Sequence, residues 1–323
     1  MNTALPFTPD FNNLKGVREG IGDELSEQGK NYPNLFVLTA NLKESTKVDE
    51  FAKKYPERFY DVGVAEQNLA GISAGLGLTN NIAFMSSYSV FSPGRNWDQV
   101  RVSICYSKAN VKIIGGHAGI ATGKDGATHQ ALEDLSITRV LPNLEILIPL
   151  DYSQAREAVK YSILTKNPVY IRSYREKSPQ IFHNQNFNIL KPQIIKEGKD
   201  LTVFSSGPVF FEAYKAIEKI EKELNISIEL INISCLKPLD NKILLESLNK
   251  TKLGVSIEDH QVHGGMGSTI LESISEKIAV PFKIIGIEDT FGESGTASEL
   301  YEKYGISENK IKEKIIQFIK RNK

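Results

Sequence analysis

The chain has 323 residues, with 39 basic and 39 acidic side chains and therefore no formal net charge. Such a length suggests about two domains with ample cores, and the balanced charge argues against a nucleic-acid footprint or an anionic-membrane binder. Cys105 and Cys235 lie far apart without CxxC spacing, which indicates neither a disulfide framework nor a zinc site.

The opening segment, MNTALPFTPDF, lacks a basic stretch followed by an apolar one. No apolar run approaches membrane-spanning length, so a soluble, cytoplasmic protein is expected. Short β-branched and apolar runs then alternate with helical patterns. Strands are predicted at LFVLTA (35–40), IAFMSS (82–87), VKIIGG (111–116), LEILIPL (144–150) and PVYIRS (168–173). Helix-compatible stretches lie between them: FYDVGVAEQNLAGISAGLGL (59–78), SPGRNWDQVRVSICYSK (92–108) and DYSQAREAVKYSILTK (151–166). The small residues of the first, among them Gly63, Gly71, Gly75 and Gly77, suit a helix packed tightly on all sides. From 174 to 200 the sequence is polar and irregular, as a domain connection would be. Alternation resumes with LTVFSSG (201–207), SIELINIS (227–234), LGVSIED (253–259) and FKIIGI (282–287). Strands alternating with helices imply mainly parallel sheets covered on both faces. The fold class expected is α/β, with a first domain over 1–175, a linker over 176–200 and a second domain over 201–323.

In such sheets ligands sit beyond the carboxyl ends of the strands, which directs attention to four loops of the first domain. These are TANLKEST (39–46), SSYSVFSPGR (86–95), GGHAGIATGKDGATHQ (115–130) and RSYR (172–175). Glu66 is conspicuous because an unpaired buried carboxylate is costly; a helix-capping role would equally explain an acid at that point. The 115–130 loop holds two of the five histidines, His117 and His129, with Asp125 between them and five glycines that permit close backbone approach. That set suits hydrogen bonding to a polyhydroxylated or phosphorylated ligand, a metal site of no recognised spacing, or a plain surface loop. Arg172 and Arg175, just past a strand end, suit either an arginine fork for phosphate or carboxylate or a plain solvated strand end. GGMG (264–267) opens a predicted helix and suits either an anion or tight packing. Tyr88 and Phe91 weigh little alone.

Together, DVGVAEQN, GRNWDQVR, GHAGIATGKDGATHQALEDLSITRVLPN and EDHQVHGGMGS resemble the transketolase family of thiamine diphosphate enzymes, from about residue 14 to about residue 305. The resemblance is to the pyrimidine-binding domain followed by the C-terminal domain. It implies that Glu66 hydrogen-bonds N1′ of the cofactor's aminopyrimidine and activates it, and that the small residues around it leave room for cofactor and partner. Phe91 would stack on that ring with Tyr88 one turn earlier, although a further aromatic of some relatives has no counterpart near Gly94. His129 and Asp125 would orient donor hydroxyls, His129 as a catalytic residue. Arg18, Ser45, His117 and Arg175 would hold the substrate's phosphate. Asn41 stands where the family usually has aspartate, which removes a charge near the cofactor.

No GDG motif, which in the family precedes an asparagine and binds the diphosphate through Mg²⁺, occurs in the chain. The resemblance therefore implies the C-terminal subunit of a split transketolase, paired with a second chain that carries GDG…N and binds Mg²⁺, in an α2β2 assembly. No metal site is assigned to this chain's own residues. The implied reaction moves a two-carbon ketol unit from a ketose phosphate to an aldose. Rival readings are a 1-deoxyxylulose-5-phosphate synthase-like enzyme, a 2-oxo acid dehydrogenase β-type subunit, and a non-catalytic scaffold or regulatory subunit. The second domain is expected to serve structure and assembly, with Glu258 and His263 as packing or interface residues.

Overall fold

The computed structural model describes residues 8–182 and 187–322. The segment MNTALPF and positions 183–186 of the expected linker lie outside the described residues. Among the described residues, no helix is long and apolar enough to cross a membrane.

Strand β1 (Asp10–Gly16) leads into α1 (Val17–Gln28), and β2 (Leu35–Thr39) is followed by α2 (Asp49–Lys54) and β3 (Phe59–Asp61). Then come α3 (Glu66–Leu78), β4 (Ile82–Tyr88), the short α4 (Trp97–Gln99) continuing as a π-helix over Val100–Tyr106, and β5 (Val111–Gly116). After α5 (Asp134–Arg139), β6 (Glu145–Leu147), α6 (Tyr152–Leu164), β7 (Val169–Arg172) and β8 (Lys177–Gln180), the chain enters its second half. That half holds β9 (Gln193–Lys196), β10 (Leu201–Ser205), α7 (Val209–Leu224), β11 (Ile228–Asn232), β12 (Cys235–Lys237) and α8 (Lys242–Thr251). It ends with β13 (Gly254–Gln261), α9 (Met266–Ile274), β14 (Phe282–Ile287), α10 (Ala297–Lys303) and α11 (Glu308–Asn322).

The described strands form a seven-stranded sheet in the order β12-β6-β7-β5-β4-β2-β3, a five-stranded sheet in the order β14-β13-β10-β11-β9, and a β1-β8 ribbon. All pairs are parallel except those of β12, β9 and the ribbon. Every residue of β4, β5 and β7 is buried, as strands covered on both faces must be. The fold is thus two successive α/β domains with mainly parallel sheets.

Several elements differ from the sequence pattern. Residues 59–65 are a short strand and a turn, and the helix begins only at Glu66. Its small residues are not packed all round: a Cβ at Gly63, Gly71 or Gly75 would meet nothing within 4 Å. The helix expected from 92 starts at Trp97, because Pro93 lacks an N–H and restricts the residue before it. Within 176–200, β8 and β9 form by pairing with β1 and β11, where their own polar sequences carry no strand pattern. The run 144–150 contributes a strand only over Glu145–Leu147.

The carboxyl ends of β2, β4, β5 and β7 share one edge of the larger sheet, since the strands are neighbours and parallel. The four loops singled out above all leave from that edge.

Candidate active site

Glu66 opens α3 and is buried, 1% exposed. It does not cap the helix: no side-chain hydrogen bond closes that end. Its Oε2 instead accepts Nη1 of Arg95 at 2.8 Å. The Arg95 guanidinium lies 4.6 Å from the centre of the Phe91 ring, and Asn96 Nδ2 donates to the Glu66 carbonyl at 3.0 Å. Among the described residues, nothing hydrogen-bonds Oε1. A buried carboxylate is tolerable with such a counter-charge, and here one oxygen is fixed while the other stays available.

Phe91 begins a continuous wall of rings. Tyr88 and Phe91 lie nearly parallel, 6.2 Å apart at 11°. His117 stacks on Tyr88 at 3.8 Å, and His129 meets Phe91 edge-on at 5.2 Å. The loop reaches this position because His117 takes a left-handed backbone, φ 55°, between β5 and the glycines. Its Nδ1 is buried without a hydrogen-bond partner among the described residues. Burial, then the charges of Arg18, Arg175 and His129, push His117 down to about 3. His117 is therefore neutral near pH 7, a hydrogen-bonding group with no charge of its own.

The two arginines that depress His117 lie within electrostatic reach of it. Arg18, at the start of α1, donates from Nη1 to the Ser45 carbonyl at 2.9 Å, while its buried Nε has no partner among the described residues. Arg175, just past β7, donates to the Thr122 carbonyl at 2.9 Å and pairs with Asp125 at 3.2 Å. Each guanidinium uses one N–H to fix its direction. The structure thus brings Arg18, Ser45, His117, Asp125, His129 and Arg175 together around the aromatic wall, and Phe91 links that group to Arg95 and Glu66. Asn41 is set apart: exposed and left-handed at φ 62°, it donates its amide to Asp61 and touches none of these groups.

Arg172 is not half of an anion-binding fork. It is buried in a bidentate pair with Asp134, at 2.8 and 2.9 Å, and donates to the Asp259 carbonyl at 2.9 Å. Burial alone would raise Asp134, but the Arg172 charge and hydrogen bonds from Arg172 and Tyr170 hold it below the usual carboxylate range. GGMG does receive an acceptor, an internal one: the Glu258 carboxyl accepts the amides of Met266 and Gly267 at 2.6 and 2.9 Å. His263 is exposed, and its carbonyl takes Ser136 Oγ at 2.9 Å between the domains. Arg95, Asp134 and Asp259 do not stand out in the sequence. All three lie inside the quoted motifs, Arg95 in GRNWDQVR, but nothing in spacing ties Arg95 to a glutamate 29 residues earlier.

Residues 15–180 match the model of the transketolase pyrimidine-binding domain, and residues 190–311 that of the transketolase C-terminal domain. The chain belongs to the transketolase family. It is 42% identical over 95% of its length to a putative transketolase C-terminal section of Methanocaldococcus jannaschii, covering 97% of that protein. It is 32% identical to an apulose-4-phosphate transketolase subunit of Phocaeicola vulgatus, over 96% of this chain and 99% of the other. A solved split-gene transketolase, described as an inactive β4 tetramer, superposes with a TM-score of 0.87 at 40% identity, covering 94% of this chain and 98% of that one. Membership of the transketolase family implies dependence on thiamine diphosphate. The residues present fit the aminopyrimidine half of that cofactor: a buried carboxylate with an open oxygen stands beside an aromatic face.

Proposed function

We propose that this chain is the C-terminal subunit of a two-chain transketolase that moves a two-carbon ketol unit from a phosphorylated ketose to an aldose. The observation that carries this reading is the single wall joining Glu66–Arg95 through Phe91 to His117, with the charges of Arg18 and Arg175 close enough to act on His117. Glu66 and Phe91 would hold the aminopyrimidine, with Tyr88 supporting Phe91 from behind. Thiamine diphosphate, when bound, supplies the carbon nucleophile and electron sink that ketol transfer requires. Glu66 Oε1, the oxygen not held by Arg95, would face N1′ of the bound pyrimidine and hold or give up a proton there, a task suited to a positioned carboxyl in a desolvated site. Arg18 and Arg175 bind a phosphate dianion through charge-assisted hydrogen bonds, while neutral His117 and Ser45 add uncharged donors. His129 and Asp125 orient sugar hydroxyls. Asn41 lies near the cofactor only through its place at the end of β2.

The diphosphate and Mg²⁺ are assigned to a second chain carrying GDG…N, because this sequence lacks that triplet; an α2β2 assembly in the cytoplasm follows as part of the proposal. Relatives described as a section and a subunit support a divided enzyme, and the solved relative's inactive β4 state agrees with a requirement for another chain.

The test is reconstitution with that second chain. Glu66→Ala is expected to lower ketol transfer by at least about 100-fold, with circular dichroism and chain association unchanged. A complex that keeps full activity without Glu66 would overturn the assignment.

A further inference from the structure

The second domain reaches into the sugar-contact loop through a buried carboxylate. Asp259, towards the end of β13, is 2% exposed. Its Oδ1 accepts the amide of Ile120 at 2.7 Å, and its Oδ2 lies 3.4 Å from the amide of Ala121. Those amides open the 3₁₀ turn Ile120–Asp125. The Tyr301 hydroxyl donates to Oδ2 at 3.3 Å, and Arg172 holds the Asp259 carbonyl from the first domain.

Other contacts follow the same line. Gln130, at the far end of the loop, donates to the Glu293 carbonyl at 2.9 Å. Gly119 and Gly126, at φ 86° and 79°, allow the loop to come close: a Cβ at Gly119 would collide with the Asp259 carboxylate, and one at Gly126 would sit 2.7 Å from Ser294 Oγ.

A carboxylate is a costly way to fill space between two domains. Burial pushes Asp259 up from its usual range, although the Arg172 charge and the two loop amides pull it back. A leucine would pack there without that cost. The carboxylate has a directional use: it accepts the unpaired N–H groups at the start of a helical turn. One residue further on, Thr122 offers its carbonyl to Arg175 and its hydroxyl, at 2.6 Å, to the carbonyl of His117. The path from Asp259 to the two phosphate-binding groups is therefore two hydrogen bonds and one peptide unit.

We propose that Asp259 is a positioning residue for donor binding: by clamping Ile120 and Ala121 it fixes Thr122, and through Thr122 it sets Arg175 and His117 for the donor's phosphate. This gives the C-terminal domain a part in substrate affinity besides its structural one. The proposal rests on reading the loop as a sugar-phosphate site.

The experiment uses the full chain as wild type, Asp259→Asn and Gln130→Met. The second variant cuts the tie to Glu293, together with the hydrogen bonds of the same Nε2 to the Ile120 and Gly123 carbonyls at 3.2 Å. It alters no buried charge, so the Asp259 clamp is read from Asp259→Asn wherever that variant folds. Amide hydrogen exchange is followed over 117–126 in the chain alone, with and without inorganic phosphate, and donor KM and kcat are measured in the reconstituted complex. Exchange over 117–126 is expected to rise about tenfold in both variants, with Leu201–Ser205 unchanged and phosphate protection lost. Donor KM should rise about tenfold with kcat within about twofold, the pattern of lost binding geometry. Unchanged loop exchange in both variants overturns the proposal, and so does faster exchange with donor KM unmoved. If the wild-type complex transfers no ketol unit, the proposed function falls separately, and phosphate protection of the loop decides the clamp by itself.

Discussion

Arg95 supplies the one side-chain hydrogen-bond partner that the buried Glu66 carboxyl has among the described residues. It is half exposed, sits with its guanidinium 4.6 Å from the centre of the Phe91 ring and reaches inward to one oxygen, so its charge is partly solvated while its direction is set beside the ring. Arg95→Ala would leave Glu66 without a partner and free it to turn. Turnover in the reconstituted complex is expected to fall by roughly tenfold or more, while the isolated chain loses about 1–3 kcal/mol, since the arginine is half in water but the carboxylate left unpaired is buried. Arg95→Lys should recover the stability and only part of the turnover, since an ammonium keeps the charge but not the planar stack. Equal turnover in all three proteins would show that Glu66 holds its position unaided. Glu66 is legible in the sequence because an acid in an apolar run raises a question; its arginine is not, because only the fold brings 66 and 95 together. Asn41 shows a milder case. At φ 62° the position favours asparagine or aspartate alike, so the family's usual aspartate can give way to an amide without backbone strain.

At the scale of elements, hydrophobic patterning serves well where a strand is central. β2, β4, β5, β7, β10, β11 and β13 all lie within or upon runs of apolar and β-branched residues, because both their faces are covered, and the edge strand β14 shares the pattern with its first half only partly buried. β1, β8, β9 and β12 escape it because they are short or polar, and a neighbouring strand holds them where their own periodicity does not. Composition points to the helix α3 but misleads about its surroundings. Gly71 and Gly75 lie one turn apart facing open space, with Ile72 and Leu78 exposed beside them. A glycine with nothing near it costs helix stability without a packing return inside this chain. Gly71→Ala with Gly75→Ala is therefore expected to stabilise the isolated chain by about 1–2 kcal/mol, read as a melting point a few degrees higher. If the proposed second chain covers this face, the same two methyl groups would hold it off and weaken association by roughly tenfold or more. A variant that melts higher and still binds its partner with wild-type affinity would place the contact elsewhere.

Across the whole molecule the two domains are less separate than a 1–175 and 201–323 division suggests. β12 comes from the second half and completes the first sheet against β6; Ile231, Cys235, Leu248 and Met266 share one core with the first domain, and Ile120 and Leu132 share the other with the second. Arg172 and Asp259 join the two polar interiors. Sequence pattern conveys where strands are but not which sheet an edge strand enters, so this stitching is out of its reach. Glu258 offers a way to see it in solution. Burial pushes its carboxyl up to about 7 despite two helix amides and the charges of Arg172 and Arg139 from the first domain. A group raised in the native state keeps a proton that the unfolded chain has released. Its contribution to stability is therefore complete below about pH 4.5, the unfolded value, and lost as pH rises through about 7. His117 and His260, pushed down to about 3 and about 4 by burial, act oppositely and lose stability as pH falls below about 6.5. The raw pH profile mixes these effects, so the informative quantity is the difference between Glu258→Gln and wild type. Relative to wild type, the variant is expected to gain stability between about pH 4.5 and 8, by up to about 3 kcal/mol. The gain should appear in a single calorimetric transition, because Glu258 is held by charges from both domains within shared cores. A pH-independent difference would mean that Glu258 is ionised in the fold, and two transitions, only one of them moved, would mean that the cores melt apart.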